Sequence, residues 1–265
     1  MPLAAAAGLV AVLVGLGYKA AIAPFHFWAP GAYDGAPVSV AAFLSVVPKV
    51  GAIFGLAQVV GDLPPGEAGW PYAVAALAVL SMTYGNLAAL VQDNVVRLLA
   101  YSSVAQAGFF LLGVVAIGEE GLALRSLVVF AAAYAAMNLG AFAIVLQVGR
   151  NLGDFTGLGR SAPLAGGAMV IFLISLVGIP PLGGFVGKLL LFGAAMEAGF
   201  VWLAVIGILN SVLSLAVYLR IVAPMYRTPK GRPASAPLLV AVWTVALVLT
   251  FGIGLAAQVL IGSVA

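Results

Sequence analysis

Residues 164–198 read LAGGAMVIFLISLVGIPPLGGFVGKLLLFGAAMEA, and only Lys188 and Glu197 among them are charged. A membrane helix needs about twenty predominantly apolar residues, so the stretch is long enough to cross a bilayer. It cannot do so as one regular helix. Within Gly178-Ile179-Pro180-Pro181-Leu182-Gly183-Gly184 the two prolines remove backbone donors and the glycines loosen the backbone around them. The stretch therefore reads as one crossing built from two half-helices, with a re-entrant hairpin or two short spans as the alternative. Irregular backbone at membrane depth is tolerated only where it is buried in protein or lines a water-filled cavity, so the break itself marks a place to look for function.

The rest of the chain has the same character. Of 265 residues, 64% are hydrophobic and 7% charged, and the mean hydropathy is +1.21. Soluble domains carry about 25% charged residues, so the polar shell of a water-soluble fold is missing and lipid must cover most of the surface. The net charge of +3 does not indicate nucleic-acid binding, because the basic residues are scattered between apolar runs instead of clustering on one face. The densest group, Arg227, Lys230 and Arg232, reads as a solvated loop near lipid headgroups. The chain has no cysteine, which excludes disulfides and cysteine-held zinc or iron–sulfur centres within it. Met1 leads directly into an apolar stretch without a charged n-region or small-residue cleavage site, so the first helix is expected to be retained.

Charged and Gly/Pro-rich punctuation divides the sequence into eight elements, and the expected fold is an all-α bundle of about eight crossings forming a single membrane domain, 1–265. The first runs from about Leu3 to Trp28 or beyond, with Pro24 inside it, and the second from about Val38 to Val60, with Pro48 inside it. Both read as broken or kinked. The others run near Trp70–Gln92, Val95–Ile117, Leu122–Val148, Leu164–Ala198, Val201–Ala223 and Leu238–Ile261. Eight crossings sort the loop charges by side. Arg97, Arg150, Arg160, Arg220, Arg227, Lys230 and Arg232 fall on one face, and Arg125 stands among Asp62, Glu67, Glu119, Glu120 and Glu197 on the other. Basic loops are cytoplasmic, so both termini are expected on the outer side, and a sixth element crossing twice would spoil the sorting.

Lys19, Lys49 and Lys188 remain, each inside an apolar stretch. A lysine at the centre of a lone membrane helix costs roughly 2.5–3.5 kcal/mol on insertion scales, so such residues usually face the bundle interior and meet partners or water. Burial penalises the charged form of an amine, which turns a permanent cation into a group able to exchange a proton. Three such residues suggest a relay; snorkelling or structural pairing is the competing reading, and for Lys49 the adjacent Pro48 allows a simple kink. His26 lies seven residues after Lys19 and shares its helix face if the helix persists that far; otherwise it belongs to an interfacial aromatic cluster, Phe25-His26-Phe27-Trp28. Gly184-Phe185-Val186-Gly187-Lys188-Leu189 fails the phosphate-loop pattern at Leu182 and Leu189, and no hydrolase or zinc-protease signature occurs.

The stretch from Gly17 to Pro30, with Lys19 and Pro24-Phe25-His26-Phe27-Trp28, then Tyr33-Asp34-Gly35-Ala36-Pro37, closely resembles the antiporter-like membrane subunits of respiratory complex I. Its His-Phe-Trp wording resembles the subunit N branch of bacterial NADH:quinone oxidoreductase, which is similar to mitochondrial subunit 2, more than the His-Thr-Trp usual in subunits L and M. Arg97-Leu98-Leu99-Ala100-Tyr101-Ser102-Ser103-Val104-Ala105-Gln106-Ala107-Gly108 and Gly178 through Lys188 agree. The resemblance implies an inverted-repeat fold with two discontinuous helices and an incomplete first repeat. Lys19 becomes the lysine of the first broken helix, Lys49 the central lysine and Lys188 that of the second broken helix, together lining a hydrated proton pathway. His26 extends it, and Tyr101, Ser102 and Gln106 are possible polar support.

The resemblance also implies a function that no single chain completes. Protons would pass along the lysines of this membrane-arm subunit while NADH, flavin, iron–sulfur clusters and quinone sit in partner subunits, with no cofactor held here. Family members commonly carry lysine where Val96 stands and often histidine where Gln106 stands. They have about fourteen helices and this chain resembles the later eight, so the glutamate expected to pair with Lys19 would come from another chain or a missing segment. The alternatives are a subunit of a multisubunit cation/proton antiporter, which shares the fold, and a non-pumping scaffold.

Overall fold

A computed structural model describes residues 3–63, 69–118, 121–228 and 236–262; Glu67, Glu119, Glu120, Lys230 and Arg232 lie outside them. The helices are α1 (Leu3–Ala20), α2 (Trp28–Gly35), α3 (Val38–Gly61), α4 (Trp70–Leu90), α5 (Val95–Val115) and α6 (Ala123–Val148), then α7 (Leu158–Ser161), α8 (Pro163–Val177), α9 (Gly183–Glu197), α10 (Val201–Met225) and α11 (Pro237–Gly262). Among the described residues, α3, α4, α5, α6, α10 and α11 are each long and apolar enough to cross a membrane. The two remaining apolar elements are the interrupted ones, α1–α2 and α8–α9.

The second interruption lies within a single crossing. At one end of the molecule Val95 N donates to Arg150 O at 2.6 Å, Leu152 N to Asp93 O at 2.9 Å and Gly157 N to Pro224 O at 3.0 Å. At the other end Leu122 N donates to Glu197 Oε2 at 3.4 Å. The 26 residues of α6 separate the two ends, about 39 Å at 1.5 Å per residue. Since α8 begins beside the first set and α9 finishes beside the second, together they traverse the bundle once.

Pro48 does not break its helix. α3 runs from Val38 to Gly61 with Pro48 inside, so of the two expectations for this element, broken or kinked, the break does not occur. One proline removes one donor, and nearby carbonyls take side-chain donors: Ser45 Oγ donates to Ala42 O at 2.7 Å and Tyr134 Oη to Ser45 O at 3.0 Å. Helix-breaking residues are tolerated in membranes where such partners are available.

α5 is the central post, almost wholly buried, and packs on α4, α9, α2, α3, α6 and α10. Its approach to α4 depends on absent side chains: a Cβ on Gly108 would lie 2.7 Å from Ala78 O, and one on Gly85 would lie 2.8 Å from Tyr101 O. Small residues that let backbones come this close are a usual device of membrane helix packing. The end of α2 is fixed by charge. Arg150 Nη2 donates to the carbonyls of Tyr33, Asp34 and Ala36 at 3.3, 2.8 and 3.0 Å, while Asp34 takes Asn94 Nδ2 at 2.9 Å and pairs with Arg97 at 3.6 Å. A guanidinium on the last carbonyls of a helix meets both their hydrogen-bonding need and the negative end of the helix dipole.

Candidate functional site

A helix that stops inside a membrane leaves its last carbonyls without partners, and in hydrocarbon each such group is costly. At the first break, α1 ends at Ala20 and Ala21 takes a left-handed conformation, φ 57°. Ile22 N donates to Gly17 O at 2.8 Å, and Trp28 Nε1 to Tyr18 O at 2.7 Å. Ala20 O accepts from Lys49 Nζ at 2.5 Å. Ser81 of α4 serves the chain beyond the break, accepting from Ala23 N at 2.9 Å.

The second break repeats the arrangement. Gly178, at φ 94°, ends α8, and Lys188, from the first turns of α9, reaches back. Its Nζ lies 2.9 Å from Leu176 O, 3.0 Å from Val177 O and 3.2 Å from Ser211 Oγ, and 3.7 Å from the centre of the Phe109 ring. Lys49 and Lys188 are 1% and 2% exposed. Each places an amine on the negative end of an interrupted helix, where the carbonyl dipoles favour a cation. Neither snorkels.

Polar side chains run between the two. Gln106 Nε2 donates to Leu176 O at 3.1 Å, the carbonyl that Lys188 also uses, and lies 3.2 Å from Tyr218 Oη. Because a carbonyl only accepts, the orientation of the Gln106 amide is fixed, which leaves Gln106 Oε1 buried without a protein partner among the described residues. Tyr218 Oη lies 2.6 Å from Ser102 Oγ. The next residue, Ser103, lies 3.1 Å from Tyr134 Oη, and Tyr134 donates to Ser45 O, one helical turn before Lys49. Asn138 Nδ2 donates to Ser45 Oγ at 2.6 Å. A carbonyl cannot pass a proton on, so Leu176 O organises the Lys188 end of this track without conducting through it.

The other expected residues separate. Lys19, in the last turn of α1, is exposed in this chain: α1 packs chiefly on α3, and the glutamate expected to pair with Lys19 is not among these residues. The helix stops at Ala20, so Lys19 and His26 do not share a face. His26 is buried, its ring 4.7 Å from that of Tyr84 and 6.4 Å from that of Tyr101, with Nδ1 unpartnered among the described residues. Its neighbours Phe27 and Trp28 contact Tyr18 of α1. Tyr101 packs on His26, while Ser102 and Gln106 join the track. Val96, where the family commonly has lysine, is fully buried.

Sequence reasoning missed Tyr218, Tyr134, Ser103, Ser45, Asn138 and Ser211. Asn138 was findable as an uncharged amide deep inside an apolar span; the serines and tyrosines carry no comparable signal. Among the described residues no three His, Asp or Glu side chains are grouped as metal ligands.

Interrupted helices whose end carbonyls hold the buried Lys49 and Lys188, with polar side chains buried between them, define a multi-span membrane bundle. The family described as NADH:quinone oxidoreductase/Mrp antiporter, transmembrane, matches residues 3–214, and the chain belongs to it. The NADH-quinone oxidoreductase subunit N 2 of Sorangium cellulosum is 45% identical over 247 residues, covering 87% of this chain and 48% of that protein. Subunit N 1 of Streptomyces griseus is 43% identical over 262 residues, covering 95% and 55%. The chain thus spans about half the length of the curated relatives it matches. A chain of respiratory complex I from Thermus thermophilus superposes with a TM-score of 0.83 at 37% identity, over 94% of this chain and 57% of that one. A chain of the Mrp complex from Dietzia does so with 0.86 at 26% identity, over 98% and 58%.

Proposed function

We propose that this chain is a proton-translocating part of the membrane arm of an NADH:quinone oxidoreductase. The observation that carries the reading is the pair of buried lysines, Lys49 and Lys188, each held on the end carbonyls of an interrupted helix, with two groups of buried polar contacts between them, Gln106–Tyr218–Ser102 and Ser103–Tyr134. A lysine in such a place can change charge, and a change at one alters the proton affinity of the next through Coulomb interaction at low dielectric. Gln106 Oε1 and His26 Nδ1 are the kind of buried polar atoms that internal water satisfies, and water is what carries a proton past Leu176 O. The redox chemistry of NADH, flavin, iron–sulfur clusters and quinone belongs to partner subunits, and this chain holds none of those groups. Lys19 awaits a carboxylate from a partner or from a preceding segment, lying against the exposed face of α1. The protein sits in the bacterial cytoplasmic membrane with the Arg97, Arg150 and Arg220 end inside.

In membrane vesicles carrying the assembled complex, Lys49→Ala and Lys188→Ala are expected to lower NADH-driven proton uptake per NADH oxidised, measured by quenching of a pH-sensitive dye. Normal uptake with normal assembly in both variants would leave a scaffold instead. The likeness to the Mrp chain supports a second reading, a subunit of a cation/proton antiporter. Sodium-dependent proton exchange without NADH would favour it, and co-purification with NADH-oxidising subunits would reject it.

A further inference from the structure

Lys188 has three ammonium protons and three acceptors: Leu176 O, Val177 O and Ser211 Oγ. Two of the three are backbone carbonyls, which accept a hydrogen bond but have no proton to release in exchange. A hydroxyl does both. Among the described residues, Ser211 is therefore the one protein contact of Lys188 through which a proton can leave it and continue. Its own hydroxyl proton has no protein acceptor among the described residues.

Its surroundings fit this task. Lys188 and Ser211 line a cavity of about 400 Å³ between α9 and α10, walled by apolar side chains such as Val177, Phe185 and Phe192 and open on one side past the exposed Leu189, Ile208 and Val212. Water occupies about 30 Å³ per molecule and needs polar partners, so the lysine–serine floor can hold it while the walls stay dry. The neighbouring Asn210 fixes the rotation of α10 at this level. Asn86 Nδ2 of α4 donates to Asn210 O at 3.0 Å and to Asn210 Oδ1 at 3.2 Å, and Asn210 Nδ2 lies 3.3 Å from Thr83 Oγ1. With α10 pinned to α4 there, the next side chain, Ser211, is directed at Lys188.

We propose that Ser211 is the proton-transfer partner of Lys188, receiving the ammonium proton on Oγ while its own hydroxyl proton passes to water in the cavity, with Asn210 as the positioning residue behind it. The step leaves a neutral amine at Lys188, an intact hydroxyl at Ser211 and one additional proton on cavity water, and it runs backwards to recharge the lysine. It rests on the proton-translocating reading above.

The test compares Lys188→Ala, Ser211→Ala and Ser211→Thr in vesicles containing the assembled complex, measuring proton uptake per NADH oxidised, with assembly checked on native gels. Ser211→Ala is expected to fall to the level of Lys188→Ala, while Ser211→Thr, which keeps the hydroxyl, retains wild-type uptake. A merely structural serine would not show rescue that depends on the hydroxyl. Wild-type uptake in Ser211→Ala beside a defective Lys188→Ala overturns this inference and leaves the broader reading intact, as does a Ser211→Thr variant as poor as Ser211→Ala. Wild-type uptake in Lys188→Ala instead overturns the reading on which it rests.

Discussion

Tyr218 shows how much one side chain can hold together in this interior. It is 2% exposed, and its hydroxyl bridges Ser102 at 2.6 Å and Gln106 at 3.2 Å. Removing a buried hydrogen-bond partner costs about 1–3 kcal/mol where the remaining group stays unsatisfied. Gln106 keeps Leu176 O, but Ser102 has no second partner among the described residues, so Tyr218→Phe is expected to cost about 1–2 kcal/mol, measured by thermal unfolding in detergent, and to slow proton uptake. Lys188, Gln106 and Ser102 were legible in the sequence, because a charge or amide inside an apolar run is conspicuous and the Ser-Ser motif carries a family resemblance. Tyr218 was not. A tyrosine near a helix end is equally at home at the lipid interface, and only contact with α5 gives it an inward role.

The two interruptions were predicted from the same residue types but are held differently at the level of elements. The α8–α9 break is tight: Gly184 N donates to Ser175 Oγ at 3.1 Å, and a Cβ on Gly184 would run into the Ser175 carbonyl. Gly184→Ala must therefore push α8 and α9 apart, at a cost of about 1–3 kcal/mol for overpacking. The expected outcome is a lower unfolding temperature together with a defect resembling Lys188→Ala, because the carbonyls of Leu176 and Val177 move away from the amine. The α1–α2 break is held by side chains of other helices, Lys49 of α3 on Ala20 O and Ser81 of α4 on Ala23 N, while Arg150 caps the last carbonyls at the far end of α2. Arg150→Ala leaves them to water and is expected to raise amide exchange in α2 by about tenfold or more, since about 1.4 kcal/mol corresponds to a factor of ten. Pro48 and the Lys19–His26 pair mark the limits of local reading. A proline's neighbours decide whether its helix breaks, and heptad spacing places two side chains on one face only while the helix lasts.

At the scale of the molecule, Asp34 with Arg97 and Arg150, and Asp93 with Arg220, pair at one end of the bundle, and Glu197 lies at the other. Because these 265 residues contain no cysteine, a single introduced cysteine reports their sidedness. In intact spheroplasts an impermeant maleimide is expected to label Asp62→Cys but to label Arg227→Cys only after the membrane is opened; the reverse pattern would invert the proposed orientation. The sequence by itself determined that this is a membrane bundle of about eight crossings and that the elements carrying Pro24 and Pro180-Pro181 are interrupted, because lipid forbids a long apolar segment any regular form but a helix and proline and glycine forbid the helix locally. Only the tertiary structure decided which lysines turn inward. Lys49 and Lys188 do so because neighbouring half-helices offer them end carbonyls, whereas Lys19 stands on the broad surface of α1 that this chain leaves exposed.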